Sequence, residues 1–125
     1  MVILSTLVGG VINKITVTGF ANANGTGFES LDSEYINDGS NVRFVNGNDA
    51  IGINAVIRWV TADEEGFDWA KPTQDSWCIL NSDETMAMVQ LGGTENDVQS
   101  IECSNTSMTP IVDISVTASV TITVS

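Results

Sequence analysis

The sequence contains no histidine. Histidine is the usual general base near neutral pH and the commonest transition-metal ligand in proteins. Its absence excludes Ser-His-Asp and Cys-His catalysis and any metal site built on imidazole. An enzyme made from this chain would need paired carboxylates for both the acid and the base role. Because no nucleophile stands near a suitable base, the sequence predicts a non-enzymatic protein.

Basic residues are scarce. The sequence has four basic residues, Lys14, Arg43, Arg58 and Lys71, and 16 acidic residues. The formal net charge is -12. Binding to nucleic acid requires several clustered lysines or arginines that neutralise phosphates. We therefore predict that neither nucleic acid nor an anionic membrane is a partner. A surface of this sign favours metal cations or basic proteins.

Long apolar runs are missing as well. The apolar stretches fall well short of the roughly 20 residues that a membrane-spanning helix needs. The opening segment, Met1 to Ile12, is apolar, but no basic residue precedes it as in a signal peptide. The sequence therefore predicts a soluble protein whose first segment is a structural strand.

Cysteine occurs only twice, at Cys78 and Cys103. If residues 77–80, 86–91 and 98–103 form a meander, a third strand separates the two cysteines by about 9.6 Å. That distance exceeds the limit of about 7 Å between the Cα atoms of a disulfide. We expect buried free thiols, whereas a disulfide would require the two strands to lie in different sheets.

The clearest positive feature is the end of the chain. From Val112 to Ser125 every even position is apolar and every odd position is Asp, Ser or Thr, which is the alternation of a β-strand. At about 3.3 Å per residue this segment spans about 43 Å, against a domain diameter of about 35 Å. Either the strand bends, or its end packs on another subunit. The predicted interface consists of Val116, Ala118, Val120, Ile122 and Val124.

Turn residues divide the rest of the chain into short strands, and no segment has a convincing helical period. The predicted fold is all-β: one domain, 1–125, forming an antiparallel β-sandwich or jelly-roll-like fold of about eight strands with at most one short helix. The C-terminal strand, 111–125, is the part expected to reach a neighbouring subunit. The predicted strands are 2–8, 11–20, 42–46, 51–60, 77–80, 86–91, 98–103 and 111–124.

Three details refine this prediction. Strand 51–60 is apolar on both faces, with Ile57 on one and Val56 on the other, so it should be central or covered on both sides. Hairpin turns are predicted at 46–49, 81–85 and 92–97. Residues 61–72 contain a capping pattern, which predicts one short helix or an ordered loop.

An acidic segment near the aromatic residues is a candidate carbohydrate site. Carboxylates accept hydrogen bonds from sugar hydroxyls, and aromatic rings stack on sugar faces. The simpler interpretation is a solvated acidic loop whose aromatics close one end of the core, and we favour it. The residues concerned are Asp63, Glu64, Glu65 and Asp68, with Phe67, Trp69 and Trp77.

Calcium is the second candidate ligand. Ca²⁺ takes six to eight oxygen ligands, and residues 32–41 and 46–49 are rich in acids and amides. Their spacing differs from the helix-flanked calcium loop, and turn formation explains the same residues. The sequence favours turns and no cofactor. The weak calcium candidates are Asp32, Glu34, Asp38 and Asp49.

A structural role fits the composition best. A small acidic all-β chain without catalytic histidine looks like the accessory subunits that decorate or cement a viral shell. Tail and connector subunits are the nearest variant of this class. By this analogy alone we expect a virion protein that forms a homo-oligomer, with a trimer favoured, on a larger protein assembly. The alternative is a carbohydrate- or calcium-binding β-sandwich module.

Overall fold

The computed structural model describes residues 12–19, 31–46, 54–67, 71–101, 109–110 and 121–125. Its regular elements, apart from a 3₁₀ helix at Val98–Ile101, are eight β-strands. Seven of these have four or more residues, and β7 has two. The strands are β1 Lys14–Thr18, β2 Ser33–Asn37, β3 Arg43–Asn46, β4 Val56–Val60, β5 Ser76–Leu80, β6 Ala87–Gly92, β7 Thr109–Pro110 and β8 Thr121–Val124.

All eight strands belong to one antiparallel sheet in the order β7-β6-β5-β4-β3-β2-β1-β8. Strands β1 to β6 each pair with the next strand along the chain, and β8 returns to pair with β1. The sheet curls into a half-barrel. The all-β prediction is confirmed. A sandwich or jelly roll is not confirmed, because the described strands form a single sheet.

The inner face of the curled sheet carries the main core. Residues from both ends of the strand order meet there, since β1 and β8 contribute Ile15 and Val124 while β6 contributes Leu91. Trp77 is buried in this core, and its ring meets that of Trp59 edge-on at 6.3 Å between centroids. Curling therefore lets one short chain cover the concave face of its own sheet. We call the buried cluster on this concave face, which includes Ile15, Trp77, Leu91 and Val124, the inner core.

The outer face carries a second group of buried side chains. This outer cluster consists of Val56, Val60, Cys78, Leu80 and Ala87, with Phe67 and Val45 packed against it. Strand β4 thus buries Ile57 on one face and Val56 on the other. The prediction that this strand is central and covered on both sides is confirmed.

Several predicted elements differ from the structure. Residues 98–101 form a 3₁₀ helix, not a strand, and β2 lies where the sequence indicated a loop. The Asn46 amide donates to the Ala55 carbonyl, so the β3–β4 connection is longer than the tight turn predicted at 46–49. Residues 61–67 are a loop, as the second alternative for that segment proposed.

Other predictions lie outside the described residues. These are the strand at 2–8, Asp49, Asp68, Trp69, Cys103 and the segment 111–120. Within the described part of the chain, no helix is long and apolar enough to cross a membrane.

Candidate functional site

Five charged side chains converge on the outer face of the sheet. They come from five parts of the meander between β2 and β6: the β2–β3 turn, β3, β4, the loop after β4 and the β5–β6 turn. Arg43 and Arg58 are directly opposite each other on neighbouring strands. Like charges in that position repel, so the pair requires carboxylates nearby. This ion-pair cluster consists of Asp38, Arg43, Arg58, Glu64 and Glu84.

Glu84 bridges the two arginines. Its Oε2 accepts from Arg43 Nη2 at 2.9 Å, and its Oε1 accepts from Arg58 Nε at 2.6 Å. The turn that carries Glu84 is fixed by Asn81, whose side-chain oxygen accepts from the amides of Thr85 and Met86. Glu84 itself has φ +57°, a conformation that few non-glycine residues adopt. The turn geometry thus aims this carboxylate between the two arginines.

Glu64 holds Arg58 from the other side. The two side chains form a paired contact, with Nη2 to Oε2 at 2.7 Å and Nη1 to Oε1 at 3.1 Å. Arg58 Nη1 also donates to the Trp59 carbonyl at 3.0 Å. Paired arginine–carboxylate contacts are geometrically specific and stronger than neutral hydrogen bonds. Arg58 therefore links β4 to the loop at 61–67 and to the β5–β6 turn.

The local pKa values follow from these contacts. Burial tends to raise the pKa of Glu84, but hydrogen bonds from Arg43 and Arg58 outweigh it, and the net pKa is lowered. Hydrogen bonding to Ser40, with a smaller contribution from Arg43, lowers the pKa of Asp38. The pKa of Arg58 is raised mainly by Glu64. These directions favour the charged forms of Asp38, Arg58 and Glu84 at neutral pH.

The positive charges of the two arginines are neutralised by carboxylates of the same cluster. Two guanidinium groups face three carboxylates, so the cluster has no positive charge left for phosphates. Although Arg43 and Arg58 do converge in space, as the sequence did not indicate, they form no basic patch. The chemistry available here is cross-linking of sheet elements through charge-assisted hydrogen bonds.

Two of the described calcium candidates, Glu34 and Asp38, form ion pairs, and Asp32 is half-buried. Glu34 pairs with Lys14 at 2.7 Å, and Asp38 pairs with Arg43 at 3.1 Å. The Asp38 side chain also accepts from the Ser40 amide, while Asn37 accepts from the amides of Gly39 and Asn41. These contacts are the turn geometry that the sequence favoured over metal binding. Among the described residues, no group of three potential ligands could hold a metal ion.

The described part of the carbohydrate candidate is divided between surface and core. Asp63 and Glu65 are exposed, whereas Glu64 is in the ion-pair cluster. Trp77 is buried, and its Nε1 donates to the Thr94 carbonyl at 2.9 Å. Phe67 is half-buried against the outer cluster, so the two described aromatic side chains of this candidate take part in packing.

Cys78 is a free thiol buried within the outer cluster. Burial raises its pKa to about 11, so the reactive thiolate is scarce at neutral pH. Residues 98–101 form a 3₁₀ helix, so the predicted third strand of the meander, which was to carry Cys103, is wrong in this part.

The described members of the predicted C-terminal interface pack within their own chain. Ile122 and Val124 belong to the inner core with exposures of 5% and 8%. Ser125 continues the pairing, because its amide donates to the Lys14 carbonyl at 3.0 Å. A single chain therefore accounts for these two side chains without a neighbouring subunit. Val116, Ala118 and Val120 lie outside the described residues.

The ion-pair cluster was not found from the sequence. Arg43 and Arg58 were recognised only as scarce bases, and Glu84 was not singled out. Strand register is the signal that could have revealed the cluster. The register that places Val45 opposite Val56 also places Arg43 opposite Arg58. Comparisons with protein-family models, curated proteins and solved structures found no match.

Proposed function

We propose that this protein is a non-enzymatic structural subunit of a larger protein assembly. The observation that carries the proposal is the ion-pair cluster, which joins five parts of the meander on one face of the sheet. A sheet with a packed concave face and a cross-linked convex face has little freedom to deform. Such a sheet suits a subunit that holds its shape within a shell or tube.

The kind of assembly follows by analogy of composition. An acidic, histidine-free chain of 125 residues resembles virion accessory subunits of the decoration, cement, tail or connector type. The proposal includes a homo-oligomer, with a trimer favoured by the same analogy, and a virion location. Val116, Ala118 and Val120 remain predicted contacts of this assembly. A carbohydrate- or calcium-binding module remains the alternative.

Thermal unfolding at several protein concentrations separates these functions. The melting temperature of an oligomer rises with protein concentration, because association stabilises only the folded state. We expect such a rise, with no shift on adding calcium or a panel of oligosaccharides. A melting temperature that is independent of protein concentration but rises with one of these ligands would overturn the proposal.

A further inference from the structure

We propose that β8 is exchanged between copies of this chain, so that each copy inserts this strand beside β1 of another copy. The inference rests on the homo-oligomer proposed above and names the surface through which it forms. The receiving surface is the edge of β1 opposite to β2, with the adjoining part of the inner core. Because the copies are identical, β8 of a second copy makes the same contacts there as β8 of the same chain.

The directions of β7 and β8 demand a reversal in a closed chain. Neighbouring strands of the sheet are antiparallel throughout, and β7 and β8 stand at opposite ends of the order of eight strands. Along the axis about which the sheet curls, the two strands therefore run in opposite directions. A chain that pairs its own β8 with its own β1 has to reverse its direction between Pro110 and Thr121.

The sequence between these strands lacks the residues that favour reversal. Residues 111–120 contain no glycine, asparagine or proline. Six of these ten residues are β-branched, and such residues disfavour positive φ. By contrast, Gly39 and Asn41 between β2 and β3 have positive φ, as do Gly93 and Asn96 after β6. The sequence of 111–120 thus favours an extended strand over a reversal.

The alternation of apolar residues also agrees with one continuous strand. Pro110 is opposite Val89 of the inner core, and Ile122 and Val124 belong to the same core. Even-numbered positions are therefore in register with the inner face at both ends, and the apolar residues from 112 to 120 are even-numbered too. At about 3.3 Å per residue, the distance from Pro110 to Thr121 is about 36 Å, which is about one domain diameter. Such a strand reaches a second copy.

The exchanged strand suits a contact between two acidic copies. The side chains of β8, Thr121–Val124, carry no charge, so the strand brings no carboxylate to a partner whose net charge is also -12. Ile122 and Val124 supply apolar burial, and the backbone continues the pairing with β1, since the Ser125 amide donates to the Lys14 carbonyl. In strand addition of this kind, main-chain hydrogen bonds give affinity and alternate side chains give specificity.

Cross-linking of β1 to β8 tests the exchange. Thr16 and Thr123 are directly opposite each other on these strands. Thr16→Cys and Thr123→Cys are introduced together into a chain in which Cys78→Ala and Cys103→Ala remove the natural thiols. Dibromobimane, which fluoresces once it has joined two thiols, links the pair in the native protein. We expect the fluorescent product on a denaturing gel to shift from the 13.3 kDa of one chain to a multiple of that mass.

A pair that shares one position is the matched control. Thr16→Cys with Glu34→Cys joins β1 to β2, where these residues are also opposite, and its product should stay at the mass of one chain. Multimers in equal amount from both pairs contradict exchange of β8. A single-chain product from the β1–β8 pair, in a protein that native mass spectrometry shows to be an oligomer, overturns this inference and leaves the proposed function standing. A single-chain product in a monomeric protein contradicts both.

Glycines between β7 and β8 provide an independent test. Thr117→Gly with Ser119→Gly permits positive φ and therefore a reversal within one chain. In the Thr16→Cys, Thr123→Cys background, these changes should raise the ratio of single-chain to multimeric product about tenfold. The control, Thr117→Ser with Ser119→Thr, alters the same positions without glycine and should leave the ratio unchanged. Near-UV circular dichroism verifies the fold of each variant. Equal ratios in the glycine variant and its control would contradict the exchange.

Discussion

At the scale of single residues, neighbouring positions of β4 are stabilised by different forces. Ile57 is fully buried in the inner core, where apolar surface removed from water supplies the stabilisation. Directly after it in sequence, Arg58 lies on the outer face and is held by Glu64 and Glu84. The alternation of a β-strand thus assigns consecutive residues to different kinds of interaction.

Replacing Ile57 by Ala tests the inner core. The deleted aliphatic groups should leave a cavity and lower the free energy of unfolding by about 2 to 5 kcal/mol. Chemical denaturation followed by tryptophan fluorescence measures the change. The control Glu65→Ala removes an exposed side chain and should change stability by less than about 0.5 kcal/mol. An unchanged denaturation midpoint for Ile57→Ala would show that this face is assigned incorrectly.

Replacing Glu84 by Gln tests the ion-pair cluster. Because the pKa of Glu84 is lowered by folding from its ordinary 4.5, its contribution is present above that pH and is lost as the pH falls through the folded value. The variant should lose about 1 to 2 kcal/mol of stability at pH 7. It should also lose less stability than the wild type between about pH 5 and pH 3.

Urea denaturation across this pH range measures both effects. Asp83→Asn, at an exposed carboxylate in the same turn, is the matched control and should retain the wild-type pH profile. A Glu84→Gln profile parallel to that of the wild type would contradict the role given to Glu84.

At the scale of elements, the meander explains which sequence predictions succeeded. Strands β1 and β3 to β6 were predicted because apolar residues alternate or run together between turn residues. Strand β2 was missed because Ser33, Glu34 and Asn37 have low strand propensity. Its pairing with β1 and β3, together with burial of Tyr35, outweighs that preference.

The 3₁₀ helix was missed for the opposite reason. Residues 98–103 contain Val98, Ile101 and Cys103 and were predicted as a short strand, but Gly93 and Asn96 turn the chain with φ +88° and +65°. Ser100 then bonds back to Thr94, whose amide donates to its hydroxyl at 2.7 Å. The ion-pair cluster could not be predicted, because strand register, not local sequence, brings its members together.

Deleting Val120 to Ser125 tests the place of β8. From the sequence alone, this deletion would weaken assembly and leave the domain folded. The structure instead pairs β8 with β1 and buries Ile122 and Val124, so we expect a loss of about 3 to 5 kcal/mol of stability. Thermal and urea unfolding measure it. If the truncated chain is as stable as the wild type but no longer associates, these residues form an intermolecular contact and the assignment to the chain's own core is wrong.

At the scale of the whole molecule, the chain combines a packed concave face, a cross-linked convex face and a net charge of -12. Such a charge opposes aggregation and non-specific association. The proposed assembly therefore needs a specific contact between its subunits. Rigidity of the sheet and selectivity of association are the two properties that a shell or tube subunit requires.

Native mass spectrometry of the 125-residue chain tests the proposed function most directly. We expect one dominant species at a small integer multiple of the 13.3 kDa chain mass, with three copies favoured, and this species should persist after removal of divalent cations. A monomer at every protein concentration, alone and with the shell or tube proteins of its source, would contradict a structural role in an assembly.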